Sequence, residues 1–134
     1  MANAIYPKFK EACLDGTAPD LTDGNLKCVL VDTDDYSYNA AHNYFDDVAA
    51  GARVAEIALA NVDVTDGELD HDDPTFSSVT GDESEALVYY YDDGAGDAAS
   101  ELVAYIDTGV TGLPVTPNGD DINLTVNGSY AFKL

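Results

Sequence analysis

The sequence predicts a mainly β fold: an antiparallel β-sandwich or jelly-roll-like single domain with a short N-terminal helix and room for a second short helix. About eight short segments are rich in the aromatic and β-branched residues that favour strands. Turn-forming Gly, Pro, Asn and Asp residues separate these segments. The 134 residues, 46% of them hydrophobic, suffice for one buried core. We therefore expect one domain over residues 1–134, with the helix in 1–16 and the β-sandwich in 26–134.

The N-terminal segment, residues 3–14, has the pattern of a short amphipathic helix. Pro7 suits the first turn of a helix, where its missing N–H costs nothing, and Gly16 suits the C-terminal cap. We expect this helix to cover an end of the core or a partner protein. The apolar residues at helical spacing are Ile5, Phe9, Ala12 and Cys13.

Strands are predicted next at residues 26–33 and within residues 53–66. The first has apolar residues on both faces, which indicates that both faces are covered. In 53–66 the apolar residues change phase near Ala60 and Asn61, as expected for two strands or for one strand with a bulge. The composition of 53–66 would also suit a helix, but the phase change favours strands. Between the two segments, residues 40–48 indicate a short helix or turn.

The longest β-type segments are residues 86–91 and 102–106, and a shorter strand is predicted at 75–79. Both long segments are apolar on two faces, so they should be central strands of a sheet.

The C-terminal segment predicts a hairpin. A three-residue loop at 127–129 would set Leu124 opposite Phe132 and Val126 opposite Tyr130. This register places the apolar residues of both strands on one face, which a two-residue loop would not do.

Acidity is the strongest feature of the composition. The chain has 26 Asp and Glu residues against 5 Lys and Arg, a formal charge of −21 at pH 7, and 20 of the acids are Asp. Such a surface repels nucleic acid and anionic membranes, so we expect neither as a partner. An Asp-rich, Lys-poor surface also suits concentrated salt, which screens self-repulsion. The alternative is an acidic protein from an ordinary environment.

The cysteines and the N-terminal segment bear on the redox state of the protein and on where it is made. Cys13 and Cys28 fit neither a metal motif nor a disulfide framework, so we expect two buried free thiols. No apolar run resembles a signal peptide or a membrane span, so we expect synthesis in the host cytoplasm.

Motifs for catalysis are missing from the sequence. It contains no GxSxG, P-loop or GxGxxG pattern, and its only histidines are His42 and His71. We therefore expect a protein without enzymatic activity.

Acidic clusters occur where predicted strands meet loops, and carboxylates there could converge on Ca²⁺ or Mg²⁺. The cluster most suited to a cation is Asp70, Asp72 and Asp73, because Pro74 stiffens its loop. The alternative is that these carboxylates are hydrated surface charges and turn caps.

Two features predict contacts with other subunits. The first is the long Gly- and Pro-containing loop at 108–121, and the second is the helix around Phe9. Consecutive tyrosines at 89–91 must point to both faces of a strand, so one of them could reach an interface or form a sugar-binding platform. The predicted interface residues are Ile5, Phe9, Tyr90, Val110, Leu113, Pro114 and Val115.

Five stretches, at residues 1–12, 29–33, 36–42, 51–54 and 102–119, resemble a family of small structural proteins of tailed phages and prophages. The block DTGVTGLPVTPNG at 107–119 is the most specific part of the resemblance. The resemblance implies a virion component on the head, and it carries over no catalytic or binding residue. The acidity of this chain departs from its relatives and suggests a virus of a salt-loving host, an archaeon.

These arguments together lead to an expected function. We expect a capsid decoration protein, a cement or turret, on the outside of a tailed-virus head, located on the virion surface. Its expected partners are the major capsid protein and copies of itself, with a trimer favoured. The alternative is a tail or fibre module for host adhesion.

Overall fold

The computed structural model describes residues 3–126 and 129–134. The protein is mainly β, with antiparallel sheets and one α-helix, and forms a small β-sandwich-like domain, as predicted. The elements in chain order are β1 (Ala4–Ile5), α1 (Pro7–Asp15), β2 (Leu26–Val31), two 3₁₀ turns (Phe45–Asp47 and Ala50–Ala52), β3 (Arg53–Ala58), β4 (Asp63–Thr65), β5 (Glu68–Asp70), β6 (Thr75–Phe76), β7 (Ala86–Tyr91), β8 (Glu101–Ile106), β9 (Ile122–Asn123) and β10 (Phe132–Lys133).

The main sheet has five strands in the order β1-β8-β7-β2-β3. The three middle strands are almost entirely buried, which confirms the prediction that the two longest apolar segments are central. Their alternate side chains face opposite layers. Tyr89 meets Phe132 edge to face, with ring centres 5.6 Å apart, whereas Tyr90 stacks on Phe45 at 3.7 Å. Packing on both sides of this sheet therefore explains why the middle strands have apolar residues on both faces.

Two small sheets complete the domain. One has the order β10-β5-β4 and the other pairs β6 with β9. β4 and β5 form a hairpin whose two turn residues, Asp66 and Gly67, both have positive φ, 54° and 81°. This conformation suits a tight two-residue turn between antiparallel strands. The predicted break in 53–66 is confirmed, because β3 ends before Asn61, which has φ 54°, and β4 begins after it.

The helix α1 begins at Pro7 and ends before Gly16, whose φ of 83° forms the left-handed cap. The predicted start at residue 3 was wrong. Ala4 and Ile5 instead pair with Tyr105 and Ala104 of β8. Tyr6, the residue before Pro7, has extended backbone, which stops the helix from continuing towards the N-terminus. The short helix or turn predicted at 40–48 is a 3₁₀ turn at Phe45–Asp47.

The predicted C-terminal hairpin was wrong in its pairing. β9 pairs with β6, and β10 pairs with β5, so the two segments belong to different sheets. Ile122, Leu124 and Val126 of the predicted apolar face are all buried, whereas Leu134 of the same predicted face is 59% exposed. Two residues of the predicted loop, Asn127 and Gly128, lie outside the described residues.

Candidate functional site

The loop between β8 and β9 is tied to the rest of the domain at several points. Ser84 and Val115 exchange two backbone hydrogen bonds of 2.9 Å. Thr111 and Thr125 form a second bridge, with N–O distances of 2.8 and 3.1 Å. The loop is therefore a fixed surface in this structure, although it contains no strand longer than a single bridge.

Gly112 allows the loop to approach β9 closely, next to the bridge between Thr111 and Thr125. Its φ is +109°, and a Cβ on this residue would lie 2.8 Å from Leu124 Cδ2 and 3.3 Å from the Asn123 carbonyl oxygen. A side chain here would push the loop away from β9, so glycine is required for the close approach.

A groove of about 480 Å³ lies beside this loop, and we name it the tyrosine groove. It runs between the segment that follows β2, the ends of β7 and β8, and the start of the long loop. The residues that line it are Thr33, Tyr36, Ser37, Tyr38, Glu85, Tyr105, Asp107, Leu113 and Pro114. It thus combines aromatic rings with two carboxylates.

The tyrosines of the groove belong to a cluster of packed rings, in which Tyr36 is also hydrogen-bonded. The Tyr36 hydroxyl lies 2.7 Å from the Tyr6 hydroxyl and 3.0 Å from His42 Nδ1. Tyr38 packs on Tyr6 and Tyr105, with ring centres 5.1 and 5.7 Å apart. These contacts fix the orientation of the rings that face the groove.

The cluster has a low-dielectric, acidic environment. Burial, mainly, raises the pKa of Tyr36 to about 12 and raises the pKa of Tyr6 further. Burial and then the carboxylates of Asp107 and Glu85 raise the pKa of Tyr105. All three hydroxyls therefore stay protonated at neutral pH.

A second surface, which we name the apolar surface, surrounds a groove of about 280 Å³ between α1, the β4–β5 hairpin and the C-terminus. Val64 and Leu134 are 50% and 59% exposed there. Leu14, next in sequence to one lining residue, is 90% exposed. The apolar side chains that line this groove are Phe9, Cys13, Ala18, Pro19, Leu21, Val64, Leu69, Phe132 and Leu134.

The predicted interface residues fall into two groups. Phe9 and Tyr90 are each only 3% exposed because they pack inside the domain, so the structure gives them core roles. Pro114 is exposed, and the others are partly buried at the surface. Those other residues are Ile5, Val110, Leu113 and Val115.

The predicted cation ligands do not come together. Asp72 accepts a hydrogen bond from Asn61 and Asp73 accepts one from the Val126 N–H, which ties the two carboxylates to different parts of the loop. Within residues 3–126 and 129–134, the group of three or more carboxylates whose oxygens all lie within 4.8 Å of one another is formed by Asp32, Asp35 and Asp82. The structure therefore does not support a site built from Asp70, Asp72 and Asp73.

Turn capping accounts for part of the acidity. Six aspartates accept a hydrogen bond from the backbone N–H two residues later, the geometry of an Asx turn. This is the alternative role that the sequence predicted for acidic clusters. The six are Asp15, Asp20, Asp23, Asp32, Asp92 and Asp93.

The histidines and cysteines have structural surroundings. His71 Nδ1 donates to the Asp72 carbonyl at 2.7 Å, and its Nε2 forms a hydrogen bond of 2.7 Å with the Tyr89 hydroxyl. Cys28 is fully buried, and burial raises the pKa of its thiol, which makes it a poor nucleophile. Cys13 is partly buried, and both cysteines are free, as predicted.

The tyrosine groove was not predicted as a site. Its rings come from residues 36–38 and 105, and only folding brings them together. The abundance of tyrosine was the one signal in the sequence. Val64 and Leu134 gave no signal, because isolated apolar residues are common at protein surfaces.

None of the helices in the part of the chain that the structure describes combines the length and the apolar character needed to cross a membrane. No protein-family model matches the chain, and no curated protein matches it.

Proposed function

We propose that this protein is a capsid decoration protein on the outside of a tailed-virus head, where it contacts the major capsid protein and copies of itself. The observation that carries the proposal is the apolar surface. Large exposed apolar side chains beside an apolar groove are typical of surfaces that bind another protein. Val64 and Leu134 line the groove and are exposed, and Leu14, next in sequence to the lining residue Cys13, is exposed as well. These apolar side chains stand out on a chain whose formal charge is −21.

The charge of the protein suits a role in a crowded array in concentrated salt. At about 1 M salt the Debye length falls to roughly 3 Å, so acidic neighbours repel one another only at contact. Apolar contacts persist under these conditions, and excluded salts strengthen them. An apolar attachment face and an acidic outer surface are therefore compatible with close packing of many copies.

The copy number in purified particles tests the proposal. Quantitative mass spectrometry should find this protein in numbers comparable with the major capsid protein. A handful of copies per particle would contradict decoration of the whole lattice.

The attachment face can be tested separately. Val64→Asp and Leu134→Asp should each abolish co-sedimentation of the purified protein with particles that lack it, because each places a charge in the apolar groove. Ser77→Asp is the matched control, since it adds the same charge at an exposed position outside that groove. Equal binding by all three variants would show that the apolar surface is not the attachment face.

The adhesion module remains the second candidate, supported by the partly exposed rings of Tyr38 and Tyr91. The isolated domain should then block adsorption of the virus to its host. A decoration protein would leave adsorption unchanged.

A further inference from the structure

We propose that the tyrosine groove binds a cationic side chain of a partner protein, and arginine best of all. Its guanidinium would stack on the Tyr38 ring and donate hydrogen bonds to the Glu85 carboxylate. The inference rests on the proposed function only for the identity of the partner, since the chemistry of the groove is independent of it.

The groove is preformed. One wall is the segment that carries Tyr36, whose hydroxyl is held between Tyr6 and His42. The opposite wall, Leu113 and Pro114, is held in place by the two hydrogen bonds between Ser84 and Val115. A ligand would therefore bind without the cost of ordering a loop.

Glu85 is a partly buried carboxylate that can accept further hydrogen bonds. Its Oε1 accepts the Thr33 N–H at 3.2 Å, whereas Oε2 accepts no hydrogen bond within residues 3–126 and 129–134. Four ion pairs hold Lys8, Lys27, Arg53 and Lys133 within the same residues, and Glu85 takes part in none of them. The groove thus has a negative charge that a cation from outside the domain would neutralise.

The same chemistry already occurs inside this chain. The guanidinium carbon of Arg53 lies 3.8 Å from the centre of the Phe45 ring, while its Nη1 donates to Asp97 at 2.7 Å. Arginine suits such a site better than lysine because its planar group stacks on a ring and bonds to a carboxylate at once.

The charge of the groove favours a cation over a neutral sugar. Tyr36 and Tyr105 are only 4% and 3% exposed, so they offer no broad ring face for a sugar to stack on. Tyr38 is the more accessible ring, and it lies in a groove that Glu85 and Asp107 line. A single ring beside carboxylates fits a guanidinium.

The test is a titration of the labelled full chain with N-acetyl-arginine amide at constant ionic strength, followed by amide NMR chemical shifts. The citrulline analogue is the neutral isostere. We expect saturable shifts at the groove with the arginine compound and none with citrulline. Glu85→Gln should weaken binding by roughly tenfold, since it removes a charge-assisted hydrogen bond.

Three further variants separate specific from diffuse attraction. Glu11→Gln removes the same charge from the exposed face of α1 and should leave binding unchanged. Tyr38→Phe keeps the ring and should bind like the parent, whereas Tyr38→Leu should bind about tenfold more weakly. Circular dichroism would show whether any of these variants has lost its fold, and the remaining variants would still test the proposal.

The proposal is overturned if Glu11→Gln weakens binding as much as Glu85→Gln, because the attraction would then be diffuse. It is also overturned if the groove shifts with a neutral methyl glycoside and not with the arginine compound. Either result leaves the decoration role standing, whereas a low copy number in particles would remove that role and leave the groove chemistry intact.

Discussion

At the scale of single residues, the tyrosines of this protein act mainly through buried hydroxyls. Tyr6, Tyr36 and His42 form one hydrogen-bonded chain, and Tyr89 bonds to His71 on the other side of the sheet. Each hydroxyl lets a large ring be buried without leaving a polar atom unsatisfied. The high tyrosine content therefore reflects the needs of the core as well as those of the surface.

The raised pKa of Tyr36 makes the stability of the fold sensitive to alkaline pH. An unfolded tyrosine loses its proton near pH 10, whereas Tyr36 in the fold does so at about 12. The unfolded state therefore binds fewer protons in this window. The stabilisation is fully present below pH 10 and is lost as pH rises towards 12.

We expect the free energy of unfolding to fall by up to about 2–3 kcal/mol between pH 10 and pH 12 through this residue. Tyr36→Phe should flatten that fall in urea denaturation, at the cost of about 1 kcal/mol at neutral pH for the lost hydrogen bonds. Tyr130→Phe, a partly exposed tyrosine outside the cluster, is the control. An equal slope for Tyr36→Phe and the parent would contradict this role.

At the scale of elements, the long loop depends on its approach to β9. Gly112→Ala should destabilise the protein by about 1–3 kcal/mol, because it combines a positive φ with a Cβ 2.8 Å from Leu124.

Gly109→Ala is the matched control for this substitution. Gly109 also has positive φ, +78°, but a Cβ there would meet nothing within 4 Å. Thermal unfolding of both variants separates backbone strain from the steric clash. Equal losses would show that the close approach to β9 is unimportant.

The prediction of elements from sequence succeeded where the apolar pattern of a segment alone determines its position in the sheet. The segments at 86–91 and 102–106 are apolar on both faces, and such strands are stable only in the middle of a covered sheet. The C-terminal segments failed because the two-residue strands at Ile122–Asn123 and Phe132–Lys133 have too little pattern to choose a partner. The apolar alternation matches the buried residues at 122–126, but not at 129–134, where Ala131 is buried and Leu134 is exposed; tertiary contacts decide both the burial and the pairing there.

The two candidate surfaces lay beyond sequence reasoning for the same reason. The tyrosine groove joins Tyr38 to Leu113, and the apolar surface joins Cys13 to Val64 and Leu134. Each combines segments that are far apart in the chain, so no local pattern marks them. The long loop, which was predicted to make contacts because of its length and its Gly and Pro residues, does supply one wall of the groove.

At the scale of the whole molecule, the acidity has two distinct components. Some aspartates cap turns and stabilise local structure through hydrogen bonds. Others are exposed, and their carboxylates accept no hydrogen bond within residues 3–126 and 129–134, so they contribute charge and hydration alone; Asp34, Asp46, Asp70 and Asp120 are of this kind. Repulsion among such charges opposes the compact state and is relieved by salt.

The last prediction follows from this division. The urea midpoint of unfolding should rise steadily with KCl for the parent, because screening reduces self-repulsion in the folded state more than in the expanded one. The quadruple variant Asp34→Asn, Asp46→Asn, Asp70→Asn, Asp120→Asn should be more stable than the parent at low salt and should gain less from KCl. A quadruple variant of capping residues, Asp15→Ala, Asp20→Ala, Asp23→Ala and Asp93→Ala, is the control, because it removes equal charge together with the side-chain oxygens that cap the turns. If the parent gains nothing from KCl, adaptation to concentrated salt is contradicted, and its acidity belongs to a protein of an ordinary environment.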